Sequence, residues 1–411
     1  MKLSQKECQI LRKLAKKYAE CSENPAHEEK KKLWIALNDG HMQRPMVLID
    51  QLPWNELEVD ESLLCQVEHP YWQRFEKNLR RKIYMAHNIP SDLILYPYFL
   101  LPRRMNHTGF GINPIEDRKQ SEGKSVSSHK YYNQFETMED ILKIQPPHLI
   151  YDREAEAEVQ QQADEIFEGI LPYHMVGETM HLGVWDWIAQ WMGVEECYYA
   201  LLDNPEMIHA MLCRIVDGLL SLIDEYNQFG LFDGYSHICH CSCTLSERFP
   251  GQDADADRPK SQNSWAFGLA QLFTSASPQT TREFEVPYMS RIFEKFGAIY
   301  YGCCERLDDR LDIVSKMPNI RKISCSPWSD RERFAANLPK HIIMSNKPNP
   351  ALLADSIWDE DAVRKDIRRT IQAARENHVP LEMILKDVST VCNQPFRVKR
   401  WGKIALEEAS R

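Results

Sequence analysis

Met1-Lys2-Leu3-Ser4-Gln5-Lys6 carries no apolar export segment, and no uninterrupted apolar run approaches the roughly 20 residues of a bilayer span. These absences point away from a membrane protein and toward a cytoplasmic one. Positive charge is also short: 50 Lys and Arg face 60 Asp and Glu, for a formal net charge of -10. Nothing global therefore attracts a polyanion, and nucleic acid is not an expected partner. Lys30-Lys31-Lys32 and Arg80-Arg81-Lys82 are local exceptions that read as solvated helix faces, or else as a rim for a carboxylated or phosphorylated small molecule. No G-x-G-x-x-G turn follows a strand-like run, which removes the usual mark of a dinucleotide-binding sheet.

What is present is ordinary globular composition, 43% hydrophobic and 27% charged over 411 residues, enough for one large or two ordinary domains. A chain of this size builds a core without disulfides, so its 12 cysteines are expected to be reduced and their clustering matters more than their number.

Residues 1–44 read as a helical arm, with Leu11, Leu14, Ala15 and Tyr18 at helical spacing, either packing back on the chain or crossing a dimer axis. Buried strands are expected at Met46–Asp50 and Asp92–Tyr96, with a helix between them presenting Trp72, Phe75, Leu79 and Ile83, and a loop over 102–114. From Arg153 onward strand and helix alternate. Tyr173–Glu178, Tyr235–Cys243, Ile299–Tyr301, Ile320–Ser326, His341–Lys347 and Leu381–Asp387 are apolar runs, most of them ending in polar or nucleophilic residues. Asn204 is placed to cap the helix opened by Pro205, and Ser277-Pro278 opens another that runs to Phe296. This order implies parallel strands with right-handed crossovers, and chemistry at many strand ends favours a (β/α)8 barrel over residues 45–411.

Ser91-Asp92-Leu93, Gly183-Val184-Trp185-Asp186-Trp187, Asn204-Pro205-Glu206, Val286-Pro287-Tyr288 and Phe296-Gly297 resemble the uroporphyrinogen decarboxylase superfamily over roughly residues 45 to 405. With Tyr301-Gly302-Cys303-Cys304-Glu305, Ser326-Pro327-Trp328, Lys347-Pro348-Asn349-Pro350 and Lys386-Asp387, the chain looks like a less-characterised bacterial branch of it. The resemblance implies a distorted (β/α)8 barrel and two activities: decarboxylation of a carboxylated ring without a cofactor, or zinc-dependent methyl transfer to or from a corrinoid carried by a partner protein.

The decarboxylase reading rests on Asp92, which resembles the catalytic aspartate, but the arginine-rich N-terminal loop is absent and Arg103-Arg104 is a distant substitute. The methyltransferase reading rests on thiols. Tyr301-Gly302-Cys303 keeps the cysteine of the relatives' His-x-Cys and replaces the histidine, which leaves Cys303, Cys304 and the late Cys392 as the resemblance's zinc ligands, with Glu305 close by. On a straight strand His237, Cys239, Cys241 and Cys243 would share one face, so one or two of them, His237 and Cys241 first, are further metal candidates.

Glu178 is placed as ligand or proton relay, or as a helix cap. His181, Trp185, Tyr288, Tyr301 and Trp328 are placed as lining for a carboxylated or aromatic substrate, or as core. Lys347 and Lys386, with Asp387 orienting one of them, are placed to bind a substrate carboxylate or to close the barrel mouth with ion pairs. A non-enzymatic ligand-binding barrel is the remaining alternative.

Overall fold

The computed structural model describes residues 3–57, 61–120, 127–251 and 254–411. Met1 and Lys2 of the expected arm lie outside the described residues. Helix α1 (Gln5–Ser22) opens with a reciprocal cap in which the Ser4 hydroxyl accepts from the Glu7 amide and the Glu7 carboxylate accepts from the Ser4 amide. Its Leu11, Leu14, Ala15 and Tyr18 bury against Trp72, Phe75 and Leu79 of α3 (Pro70–Asn88), with Phe99 and Phe167 in the same cluster. Between them comes α2 (Ala26–Asn38), whose Trp34 donates to the Asp92 carbonyl. The arm packs back on its own chain.

The strands that follow are β1 (Met46–Ile49), β2 (Phe99–Pro102), β3 (Tyr173–Val176) and β4 (His181–Leu182). Next come β5 (Trp265–Gly268), β6 (Ala298–Tyr301), β7 (Ile320–Cys325), β8 (Ile343–Asn346) and β9 (Leu381–Leu385). Seven of them form one sheet in the order β1-β9-β8-β7-β6-β5-β4, and every pairing in it is parallel. The remaining two, β2 and β3, pair in parallel with each other. This mixed α/β architecture is compatible with a TIM-barrel-like fold, although among the described residues the ladder is seven strands plus a pair, not the continuous eight expected. Helices predicted at Arg153–Phe167 and Arg331–Asn337 are present with those bounds.

Several expectations are corrected, each for a local reason. The run 92–96 is not a strand, because Asp92 clasps β1 at one point: its amide donates to the Val47 carbonyl while its carboxylate accepts from the Val47 amide at 2.8 Å. Pairing starts only at Phe99. The expected loop holds a short strand, Met105–His107, antiparallel to Leu149–Tyr151. Asn204 precedes the long helix Pro205–Phe229 but its side chain makes no capping bond. The helix after Ser277 breaks at Glu285 into Pro278–Phe284 and Val286–Phe293.

The correction that matters most falls on Tyr235–Cys243. Ile238–Cys239 pairs antiparallel with Ser242–Cys243 in a tight hairpin, and His237 and His240 adopt left-handed φ of 51° and 54°. Period two is lost, so His237, Cys239, Cys241 and Cys243 do not share a face. The hairpin lies over the inner side of the sheet. There Phe267, Tyr300 and Ile384 meet Cys239 and Cys241, while the alternate residues Ile299, Tyr301, Met383 and Leu385 join the main core. It is pinned by the fully buried Lys322, whose ammonium donates to the Ser242 hydroxyl at 2.7 Å and the Cys243 carbonyl at 2.9 Å. The same ammonium pairs with the fully buried Glu382 at 2.7 Å.

Candidate functional site

Cys303 follows β6 and Lys386 follows β9, so both stand where parallel strands end. Gly302 makes the first placement possible: its φ is 91°, and a Cβ there would meet Leu307 Cδ1 at 2.6 Å. Glu305 then fixes the loop from inside, accepting from the Cys303 amide at 2.7 Å and the Ala270 amide at 3.1 Å. Burial raises the Glu305 carboxyl from 4.5 to about 7 despite those amides.

The Lys386 ammonium is the hub. It lies 3.2 Å from Cys303 Sγ, 3.0 Å from His240 Nε2 and 3.5 Å from Asp387 Oδ2. Cys303 Sγ is also 3.6 Å from Cys304 Sγ and 3.8 Å from His240 Nε2, and the Cys304 thiol donates to Asp387 at 3.7 Å. The Cys303 thiol is held well below its ordinary range, first by the Cys304 thiol and then by His240 and Lys386, against the opposing effect of burial. Cys304 is pushed the other way, by the contact with the Cys303 sulfur and by burial. Burial lowers Lys386, but Cys303, Cys241 and Asp387 together outweigh it and the group is raised.

Burial likewise opposes a charged His240, while hydrogen bonds to Cys241 and Cys303 raise it. Only one nitrogen can donate across the 3.0 Å gap between Nζ and Nε2. We assign the standing charge to Lys386, with His240 as its acceptor. The imidazole is stacked on Phe267, centroids 4.0 Å apart, and both His240 and Asp387 are left-handed non-glycine residues. Strain of that kind costs about 1–3 kcal/mol per residue and persists where surrounding contacts over-determine it.

Beneath the hub, Cys241 Sγ lies 3.8 Å from the Tyr300 hydroxyl, which bonds Ser345 at 2.9 Å and accepts from Lys347 at 2.5 Å. Lys347 is therefore committed to the buried interior, not to the mouth. His181 stands at the rim, its ring 5.8 Å from that of His240. Trp328 is 73% exposed on the loop after β7.

Other candidates lie apart. Tyr301 faces the helix layer and donates to Glu285 at 3.1 Å; its neighbour Tyr300 faces the site instead. Tyr288 contacts His209 at 2.6 Å, and Trp185 is core packed on Phe273. His237 packs on Tyr96, and the Cys392 thiol donates to the Ala354 and Asp355 carbonyls. Glu178 bridges Phe232, three residues upstream of His181, and is raised to about 7 by burial and Asp233. Asp92 is 2% exposed and occupied by the Arg44 guanidinium at 2.7 and 2.9 Å. It lines a cavity of about 1050 Å³ between the arm and α3, which includes none of the thiol cluster.

Two participants escaped the sequence reading. His240 sat in the His237–Cys243 run, but only a hairpin brings it over Phe267. Asp186, within the Gly183–Trp187 motif, is lifted to about 6 by burial and by the Cys303 charge.

The residues do not fit the zinc site implied by the resemblance. Zinc needs three or four converging donors, and among the described residues no group of three or more His, Cys, Asp or Glu is arranged to hold a metal ion. An ammonium stands between the best sulfur and the best nitrogen.

No family model matches the chain, and no curated protein matches it. Among solved structures, a methyltransferase from Methanosarcina mazei superposes with a TM-score of 0.51 at 9% identity, covering 92% of this chain and 98% of that one. At that identity the likeness is one of fold. Among the described residues no helix is long and apolar enough to cross a membrane.

Proposed function

We propose that this chain is a methyltransferase that moves a methyl group between a small carboxylated or aromatic substrate and a corrinoid carried by a partner protein. The observation that carries the reading is the Lys386 ammonium held between the Cys303 thiolate and His240 at the strand ends, on a fold similar to that of a methyltransferase. Methyl transfer from oxygen or nitrogen needs the departing heteroatom to be neutralised as its bond to carbon breaks. A substrate oxygen or nitrogen replaces the weakest of the Lys386 contacts, that with Asp387 at 3.5 Å. The methyl carbon accepts the electron pair of the acceptor, the old bond's electrons stay on the heteroatom, and that atom takes a proton from Lys386. The thiolate's part is to keep the lysine charged until then.

Decarboxylation loses support because its acid, Asp92, is bound by Arg44 and the Val47 amide. The test offers reduced free cobalamin as acceptor with carboxylated O-methyl and N-methyl donors, following methylcobalamin by its absorbance. Wild type is expected to form it, and Lys386→Met to form it at least about 100-fold more slowly. Release of carbon dioxide without methylcobalamin, or tight binding with no conversion, would overturn the proposal.

A further inference from the structure

We propose that Cys303 and Cys304 are a modification site for hydroperoxides, which close the pair reversibly into a vicinal disulfide. Three geometric facts carry this. The two sulfurs are 3.6 Å apart, the attacking sulfur has an ammonium at 3.2 Å, and the second thiol already donates to a carboxylate at 3.7 Å. Nucleophile, acid, resolving thiol and base are all in place. Access is graded in the same sense, since Asp387 is exposed, Cys304 partly open and Cys303 just beneath them.

In the first step the Cys303 thiolate attacks the terminal oxygen of the hydroperoxide and the O–O bond breaks. The departing alkoxide takes a proton from Lys386 and leaves as alcohol. Sulfur is oxidised by two electrons to a sulfenic acid and the peroxide is reduced by two. In the second, Cys304 passes its proton to Asp387 and attacks the Cys303 sulfur. The S–O bond breaks, and the hydroxide takes that proton back as water. The sum is two thiols plus hydroperoxide giving disulfide, alcohol and water, with Lys386 reprotonated from solvent.

Adjacent α-carbons are about 3.8 Å apart, short of the roughly 4.4–6.8 Å that an unstrained disulfide spans. The closed ring is therefore strained and easily reduced, as suits a reversible modification. The depressed Cys303 thiol and the raised Cys304 thiol agree with this division into nucleophile and resolver. The oxidation stands on the dithiol alone; only its consequence, removal of the thiolate that keeps Lys386 charged, rests on the methyl-transfer reading.

The experiment treats the full chain with hydrogen peroxide at neutral pH, alkylates the remaining thiols and maps the peptides by mass. Exposed Cys213 serves as internal comparator. The peptide holding Cys303 and Cys304 is expected to lose two hydrogens at least about tenfold faster than Cys213 is oxidised, and dithiothreitol restores it. Cys304→Ser is expected to accumulate a sulfenic acid on Cys303 that dimedone captures, and Asp387→Asn to slow closure and so to raise that capture above the wild-type level. Oxidation of Cys303 no faster than Cys213, or a wild-type sulfenic acid that never closes, would overturn the inference. Neither mass reading depends on methyl transfer, so the two readings fail separately.

Discussion

Lys386→Met removes the one full positive charge in contact with the Cys303 sulfur. Both groups are buried, Lys386 at 3% and Cys303 at 7% exposure, so solvent does little to screen the contact. Bare Coulomb attraction at 3.2 Å is about 5 kcal/mol in an effective dielectric of about 20. Much of that offsets the desolvation of the two ions, and a hydrogen bond to a charged group is worth about 1.5–3 kcal/mol net. At about 1.4 kcal/mol per factor of ten, the midpoint for thiolate formation should rise by roughly one to two pH. Below that midpoint Cys303 alkylation by iodoacetamide then slows by about 10- to 100-fold. The assay is the alkylation rate of the Cys303 peptide across pH, with Cys213 as the unchanged reference and Lys386→Arg as the charge-retaining control. Superimposable Cys303 profiles for wild type and Lys386→Met would refute the assignment of Lys386 as its counter-ion.

Three further outcomes follow from the same geometry. Glu305→Gln leaves one of two buried amides without an acceptor, costing about 1–3 kcal/mol; because the folded carboxyl is raised from 4.5 to about 7, wild-type stability is full below the unfolded pKa and falls as pH rises through the folded one, by about 3 kcal/mol. Denaturant unfolding should therefore show the gap between variant and wild type narrowing from pH about 5 to pH about 8, and a constant gap would sink the argument. Asp92→Ala unpairs Arg44 and should destabilise by about 3–5 kcal/mol while leaving Cys303 alkylation unchanged; lost thiol reactivity in a stably folded variant would return Asp92 to the site. Metal analysis under reducing conditions should find zinc well below one per chain in wild type and more in Lys386→Met, and equal contents would remove the ammonium as the obstacle.

Much of this was legible in the residues because strand ends and helix boundaries are set locally. Asp152 and Asp330 cap the helices whose bounds were read correctly, each side chain accepting from an amide three residues on. Cys303, Lys386 and Asp387 converge because parallel strands must deliver their C-termini to one edge. What was not legible depends on long-range pairing or on single left-handed residues. Period two cannot reveal that His240 turns back at φ 54°, and it cannot decide between Tyr300 and Tyr301 for the inner face until the hairpin is placed. Asp92 looked catalytic from its neighbours in sequence, yet Arg44, 48 positions away, decides its role. The motif around Cys303 suggested metal; the lysine that stands in the way comes 83 residues later.

The buried Lys322–Glu382 pair also bears on how the site is mounted. Ion pairs of this kind often add little stability over a hydrophobic filling, so the pair's significance is positional. Lys322 and Glu382 project from β7 and β9 and grip Ser242, two residues beyond His240, while β9 runs straight on to Lys386. Imidazole and ammonium are thus mounted on one frame. Cys303 hangs instead from β6, where Glu305 clamps its loop to the Ala270 amide and the Ser324 hydroxyl donates to the Cys303 carbonyl, so the sulfur is positioned by a set of bonds separate from the one that mounts the imidazole and the ammonium.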